Sequence, residues 1–269
     1  MLKYELERAL RTPEFICALA AGLMIVLLHI IFHVVPALMG NIRYLNISYD
    51  MMYPQSSYIS WIVMDRRLYM YIFLFIAPIL AALPYASSLY TDIRGSMAVN
   101  VMARTGKKRY LRSKYAAVFL SGGIVCCLPL VIDMLICMML LPSVKPEPAA
   151  NTILLPKSSM AGIFYDHPLV YSVISLLFIF VFCGLIAVFA LTTTYYVKYK
   201  YTIYLVGFIV ALFIISLCDL LGTSGWQPTS FLAGYYTGQR IIPFLAESAI
   251  LLILSVTDYF MFGMKRDLQ

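Results

Sequence analysis

The sequence predicts an all-α membrane protein: a polytopic six-helix transmembrane bundle entered through a short interfacial helix. Three observations predict it. Hydrophobic residues make up 62% of the 269 residues and charged residues only 12%, against roughly a quarter charged in a soluble domain. Continuous apolar runs recur that are long enough to cross about 30 Å of hydrocarbon as helices. Lys and Arg fall mainly between those runs, where they set membrane orientation. A β-barrel is excluded, because its strands would read as alternating segments of about ten residues.

The first element, residues 1–12, is MLKYELERALRT. Leu2, Leu6, Ala9, Leu10 and Pro13 share one helical face, with Lys3, Glu5, Glu7, Arg8 and Arg11 around the rest. Such a helix lies in the interface plane. Thr12, Pro13 and Glu14 then read as N-cap, N1 proline and first-turn acid of the first span. Residues 13–269 form the transmembrane domain, with spans over about 15–38, 69–90, 115–141, 169–193, 202–221 and 244–262. Pro78 and Pro84 kink or end the second span, and Gly122–Gly123 permit close helix contact. Residues 39–68 and 142–168 are long outer loops, the first a small cap and the second an irregular path with Pro142, Pro146, Pro148 and Pro156. The stretch 222–243 is too broken by Gly and Pro to cross and too aromatic for a solvent loop, so it reads as an outer re-entrant or interfacial hairpin.

Counting Lys and Arg between spans gives 14 on one side and six on the other. The heavy side includes Lys3, Arg8, Arg94, Lys114, Lys198, Lys265 and Arg266; the light side is Arg43, Arg66, Arg67, Lys145, Lys157 and Arg240. The heavy side is cytoplasmic with both termini inside, and the expected location is a bacterial cytoplasmic membrane. The net charge of +7 is thus assigned to membrane topology, and no nucleic-acid partner is expected.

Chemistry-bearing motifs are scarce. There is no GxxxxGK[ST] loop, GxSxG elbow, HExxH or CxxC, and no catalytic residue is assigned. The cysteines Cys17, Cys126, Cys127, Cys137, Cys183 and Cys218 lie in apolar runs as small packing residues. His29 and His33 share a helical face at i, i+4; without a convergent third ligand they read as polar packing, and no metal is expected. A carboxylate in a span costs roughly 2.5–3.5 kcal/mol on insertion scales, so acids there need a partner or a purpose. Asp133 is taken as the deepest, and Asp133 and Glu247 are the candidate translocation-pathway acids. Asp219 lies near a span end, and Asp258 is expected to pair locally with Lys265 and Arg266.

The most informative stretch is TDIRGSMAVNVMARTGKKRYLRSKY. Ser96 can cap a short helix from Met97 to about Thr105, and Gly106 can end it. Met97, Val99, Val101 and Met102 would give that helix apolar contacts, which makes sense if it docks into another protein. Lys107, Lys108, Arg109, Arg112 and Lys114 follow. The opening Asp92, Arg94, Gly95, Ser96, the short helix and the basic close at Lys114 resemble the first cytoplasmic loop of type-2 ABC exporter permeases. The N-terminal helix resembles that family's elbow helix, and 222–243 its external re-entrant helices. The opening departs from the family in keeping only Asp92 of an often Glu-rich run.

The resemblance implies that 96–105 is a coupling helix, with Ser96, Met97, Val99, Val101, Met102, Arg104 and Thr105 contacting an ATPase subunit. It implies two cytosolic ABC ATPase subunits and a second permease, identical or a sister. ATP and Mg would be bound by the partner, with no cofactor in this chain. The expected function is a permease subunit exporting an amphipathic or apolar substrate such as a peptide, drug or lipid. The alternatives are an ATP-independent carrier or channel subunit, and a membrane-embedded lipid-modifying enzyme.

Overall fold

The computed structural model describes residues 1–45, 54–148, 154 and 158–264, and among these the chain is helical with no strand. The expected cap residues 46–53, together with Pro156, Lys157, Lys265 and Arg266, lie outside the described residues. Helix α1 (Leu2–Leu10) precedes α2 (Pro13–His29), which passes through a π-helical turn, Ile30–Val34, into α3 (Val35–Leu45). The Thr12 side chain accepts from the Phe15 amide at 3.2 Å, with Pro13 in the first turn, so α2 is capped as its sequence suggests. The helical path therefore runs well past residue 38, into the stretch expected to be loop.

The chain continues through α4 (Ser57–Ser60), α5 (Leu68–Ala82), α6 (Ser88–Arg94), α7 (Met97–Thr105) and α8 (Lys107–Leu140). It closes with α9 (Ala161–Asp166), α10 (Pro168–Thr192), α11 (Lys200–Leu220), α12 (Pro228–Phe231) and α13 (Ile241–Asp258). Among the described residues, five helical stretches are long and apolar enough to cross a membrane: Pro13–Arg43, Lys107–Leu140, Pro168–Tyr195, Lys200–Leu220 and Ile241–Gly263. This is a multi-pass membrane protein. The second expected span, 69–90, is not one helix. Its apolar part is the 15-residue α5, roughly 22 Å long at 1.5 Å per residue, and the chain turns through 83–87 before α6. Pro84 sits in that turn, where its missing N–H cannot continue the ladder.

Helices α8 and α10 form the centre, with α1, α2 and α5 packed against α8 and with α13 and α5 packed against α10. Gly122 allows the closest approach: a Cβ there would stand 2.9 Å from the Ala81 carbonyl oxygen and 2.5 Å from the Ala187 Cβ. All six cysteines are free, and all but Cys17 are buried in this packing.

Residues 54–67 of the stretch expected to cap the bundle enter it instead, and they meet part of the expected hairpin 222–243 there. Trp61, Ile62, Val63 and Met64 are almost fully buried. Their turn is held by the Ser57 amide on the Pro142 carbonyl at 3.1 Å and by the Gly234 amide on the Val63 carbonyl at 2.9 Å. Phe231, Leu232 and Ala233 are buried beside it, so 54–67 and 227–240 together make a plug in the end of the bundle opposite α1.

Candidate functional site

Two polar clusters are buried at opposite ends of α8. At the end carrying α1, Lys114 Nζ lies 2.7 Å from Glu5 Oε2, 2.6 Å from Asp92 Oδ2 and 3.3 Å from the Tyr85 hydroxyl. An ammonium has three protons, and here each has an acceptor. Arg8 adds a fork to Asp92 at 2.8 and 3.2 Å, the Tyr110 hydroxyl donates to Asp92 at 2.7 Å, and that of Tyr85 donates to Glu5 at 2.7 Å. Burial alone would raise the Asp92 pKa, but the Arg8 and Lys114 contacts outweigh it and hold the carboxyl below its ordinary value.

This cluster joins α1, α6 and α8. It shows what α1 does with its faces: Glu5 and Ala9 turn inward, while Leu2 and Leu10 are left exposed. The apolar stripe of the first helix is thus split, with Leu2 and Leu10 pointing away from the protein and Ala9 packed inward, and the anchor of the helix is a carboxylate. Glu5 and Arg8 carry the anchor but read as ordinary surface charges in the sequence. The signal available was Lys114, the last basic residue before an uninterrupted apolar run. Asp92 and Lys114, the two ends of the loop motif, are one ion pair.

Between those ends lies α7. Ser96 precedes it with φ of 56°, left-handed, and makes no side-chain cap, which corrects the expectation of a serine cap. Gly106 ends it at φ 83°, a conformation that favours glycine, with its amide on the Met102 carbonyl at 2.9 Å. Ala98 is buried, and Val101 and Met102 are half-buried against the protein's own core, with Met97 and Thr105 also half-buried. The exposed face is Val99, Asn100, Ala103 and Arg104. Of the seven residues expected to contact a partner, Val99 and Arg104 are on the free face of the helix, with Ser96 exposed before it. The reason is spacing: 98, 101, 102 and 105 form the stripe that packs inward.

At the other end, Asp133 is fully buried and paired. Its Oδ1 is 2.8 Å from His29 Nδ1, and its Oδ2 accepts from the Ile62 amide at 2.8 Å. It is less deep than its place in an apolar run suggests, because α8 is 34 residues long and Asp133 lies about 10 Å from its C-terminal end. A carboxylate that fastens the plug to α2 accounts for its burial. His29 and His33 do face one another, with ring centroids 5.2 Å apart, and the structure supplies the third group the sequence lacked: Asp65, in the plug.

Glu247 lies elsewhere, on the wall of an apolar groove of about 510 Å³ between α10, α11 and α13, with Phe189, Ile214, Cys218, Leu251 and Leu254. Its Oε2 is buried without a protein hydrogen-bond partner. Asp133 and Glu247 therefore do not belong to one cluster. Asp219 accepts from the Gln227 side chain, and Asp258 accepts from the Tyr196 hydroxyl at 2.7 Å. Arg240, counted among the loop charges, is wholly buried: its guanidinium donates to the Phe231 carbonyl at 2.9 Å and the Tyr171 hydroxyl at 2.7 Å.

The comparisons with known proteins are empty. No family model, no curated protein and no solved structure matches this chain.

Proposed function

We propose that this chain is the membrane-spanning permease subunit of an ATP-binding-cassette transporter, with α5 as the short sixth span, α1 as the elbow helix and α7 as the coupling helix. The observation that carries the reading is the mechanical linkage around α7. A nine-residue helix with a free face is bracketed by Asp92 and Lys114, which close into a buried ion pair that also grips α1. A push on the Val99–Arg104 face would be delivered directly to α8, the 34-residue helix at the centre of the bundle. A solvated loop that only touched anionic lipid would need charge there and no such frame.

The remaining parts of the reading follow from it. Separate cytosolic ATPase subunits supply the work, with ATP and Mg bound on them. A second permease, identical or a sister, suits the bulky apolar residues that α11 leaves uncovered, Ile209 and Phe213 among them. The groove beside Glu247 has aliphatic and aromatic walls and one carboxylate, which suits export of an amphipathic or apolar substrate such as a peptide, drug or lipid. Alternating access then rests on rigid-body rocking of the bundle.

The test is purification in mild detergent with identification of every bound protein. A partner carrying GxxxxGK[ST] and LSGGQ, whose ATP hydrolysis responds to amphipathic peptides, is the expected result. Transport by this chain alone, driven by an ion gradient, would replace the reading with that of a carrier.

A further inference from the structure

We propose that His29, His33 and Asp65 form a binding site for a divalent transition-metal ion of the zinc class, oriented by Asp133. The three ligand atoms lie within 4.8 Å of one another, and the group is buried or nearly so. His29 Nε2 stands 3.8 Å from Asp65 Oδ2, and His33 Nε2 stands 3.8 Å from Asp65 Oδ1. Ligand atoms around a tetrahedral zinc at about 2.0–2.1 Å are roughly 3.3 Å apart, so small side-chain rotations close the site.

Donor and acceptor accounting is what separates this cluster from ordinary polar packing. Asp133 takes the Nδ1 proton of His29 at 2.8 Å, which leaves the Nε2 lone pair pointing into the cluster. His29 Nε2 and Asp65 Oδ2 are both buried without a protein hydrogen-bond partner. Two buried lone-pair atoms facing each other repel, and their separation of 3.8 Å is beyond hydrogen-bond reach even if the imidazole is protonated. A cation between them satisfies both at once. The carboxylate–histidine–metal relay is also the usual way to fix the tautomer of a ligating histidine.

Charge points the same way. Asp65 and Asp133 together neutralise a dication. Arg67 could compete for Asp65, but its Nε is 3.9 Å from Oδ1 and its side chain is 63% exposed, free to swing away. Tyr69 packs edge-on to His29 with centroids 5.6 Å apart. His29 immediately precedes the π-helical turn Ile30–Val34 and His33 lies within it, and such turns are frequent at functional sites. Two imidazoles and one carboxylate, with a coordination position left over, fit zinc, iron, cobalt or nickel and fit calcium or magnesium poorly.

The experiment uses the full chain without a histidine tag, in detergent, titrated with Zn²⁺ against a chromophoric chelator and with Co²⁺ read by visible absorption. The expected result is about one ion per chain with a cobalt spectrum of nitrogen and oxygen ligation. Asp65→Asn and His33→Gln should each weaken uptake by about 100-fold or more, and Asp133→Asn, which keeps the shape, by about 10–100-fold. No uptake by the unmodified chain overturns the proposal, as does a thiolate-to-cobalt charge-transfer band or uptake unchanged in Asp65→Asn. The first two outcomes need no variant to fold, and none depends on a partner ATPase.

Discussion

The two buried clusters on α8 hold similar numbers of charged groups and differ in how completely these satisfy one another. Around Lys114 every ammonium proton has an acceptor, and both carboxylates, Glu5 and Asp92, receive several donors. Around Asp65 the acceptors outnumber the protein donors, and two buried atoms face each other with nothing shared. A closed network resists change; an open one is shaped for something to enter. The first therefore reads as a structural joint between α1, α6 and α8, and the second as the proposed site.

The joint should break most visibly. Lys114→Met removes the central cation and leaves Glu5 and Asp92 buried beside each other, so we expect a loss of about 3–5 kcal/mol, read as a lowered unfolding midpoint in detergent. Acid approaches the same loss by another route. Because the Asp92 pKa is held below its ordinary value, its contribution is intact above the ordinary carboxylate range and disappears as pH falls through the folded-state value. A stability profile that stays flat to pH values below about 3 would contradict this assignment.

The open cluster should be gentler. Asp133→Asn keeps an oxygen for the Ile62 amide and loses the charge on His29, so about 1–3 kcal/mol is expected without added metal. If zinc raises the unfolding midpoint of the unmodified chain but not of Asp65→Asn, the contrast between the two clusters is sharpened. Smallest of all is the free face of α7: Val99→Ser and Arg104→Gln should change stability by no more than about 0.5 kcal/mol, since neither side chain is buried. The same pair should lose ATPase association, a functional effect without a folding effect.

Much of the fold could be read from composition and run length, because lipid imposes a simple length rule on apolar helices. The helix at 97–105 and its glycine end were legible for the same kind of local reason: Gly106 needs a positive φ that other residues resist. Long-range pairings were not. Glu5 and Lys114 are 109 positions apart, and nothing local in MLKYELERAL distinguishes Glu5 from Glu7, yet one is buried and the other exposed. His29 and His33 announced a helical pair, but Asp65 comes from a plug segment, 54–67, within a stretch expected to lie in an outer loop, and nothing local in it signals that it packs against them. The second span misled for a local reason, since the apolar content of 83–90 continues past the backbone break at Pro84.

The central claim is that α7 receives force from a separate ATPase. Its most direct measurement is site-specific crosslinking in membranes from variants with one exposed cysteine, at Val99 or Ala103, in a background lacking the exposed Cys17. Covalent capture of a nucleotide-hydrolysing subunit, in a yield that changes when ATP is trapped, is the predicted result. Capture of no such subunit from either position, while a control position on the lipid face behaves the same, would contradict it.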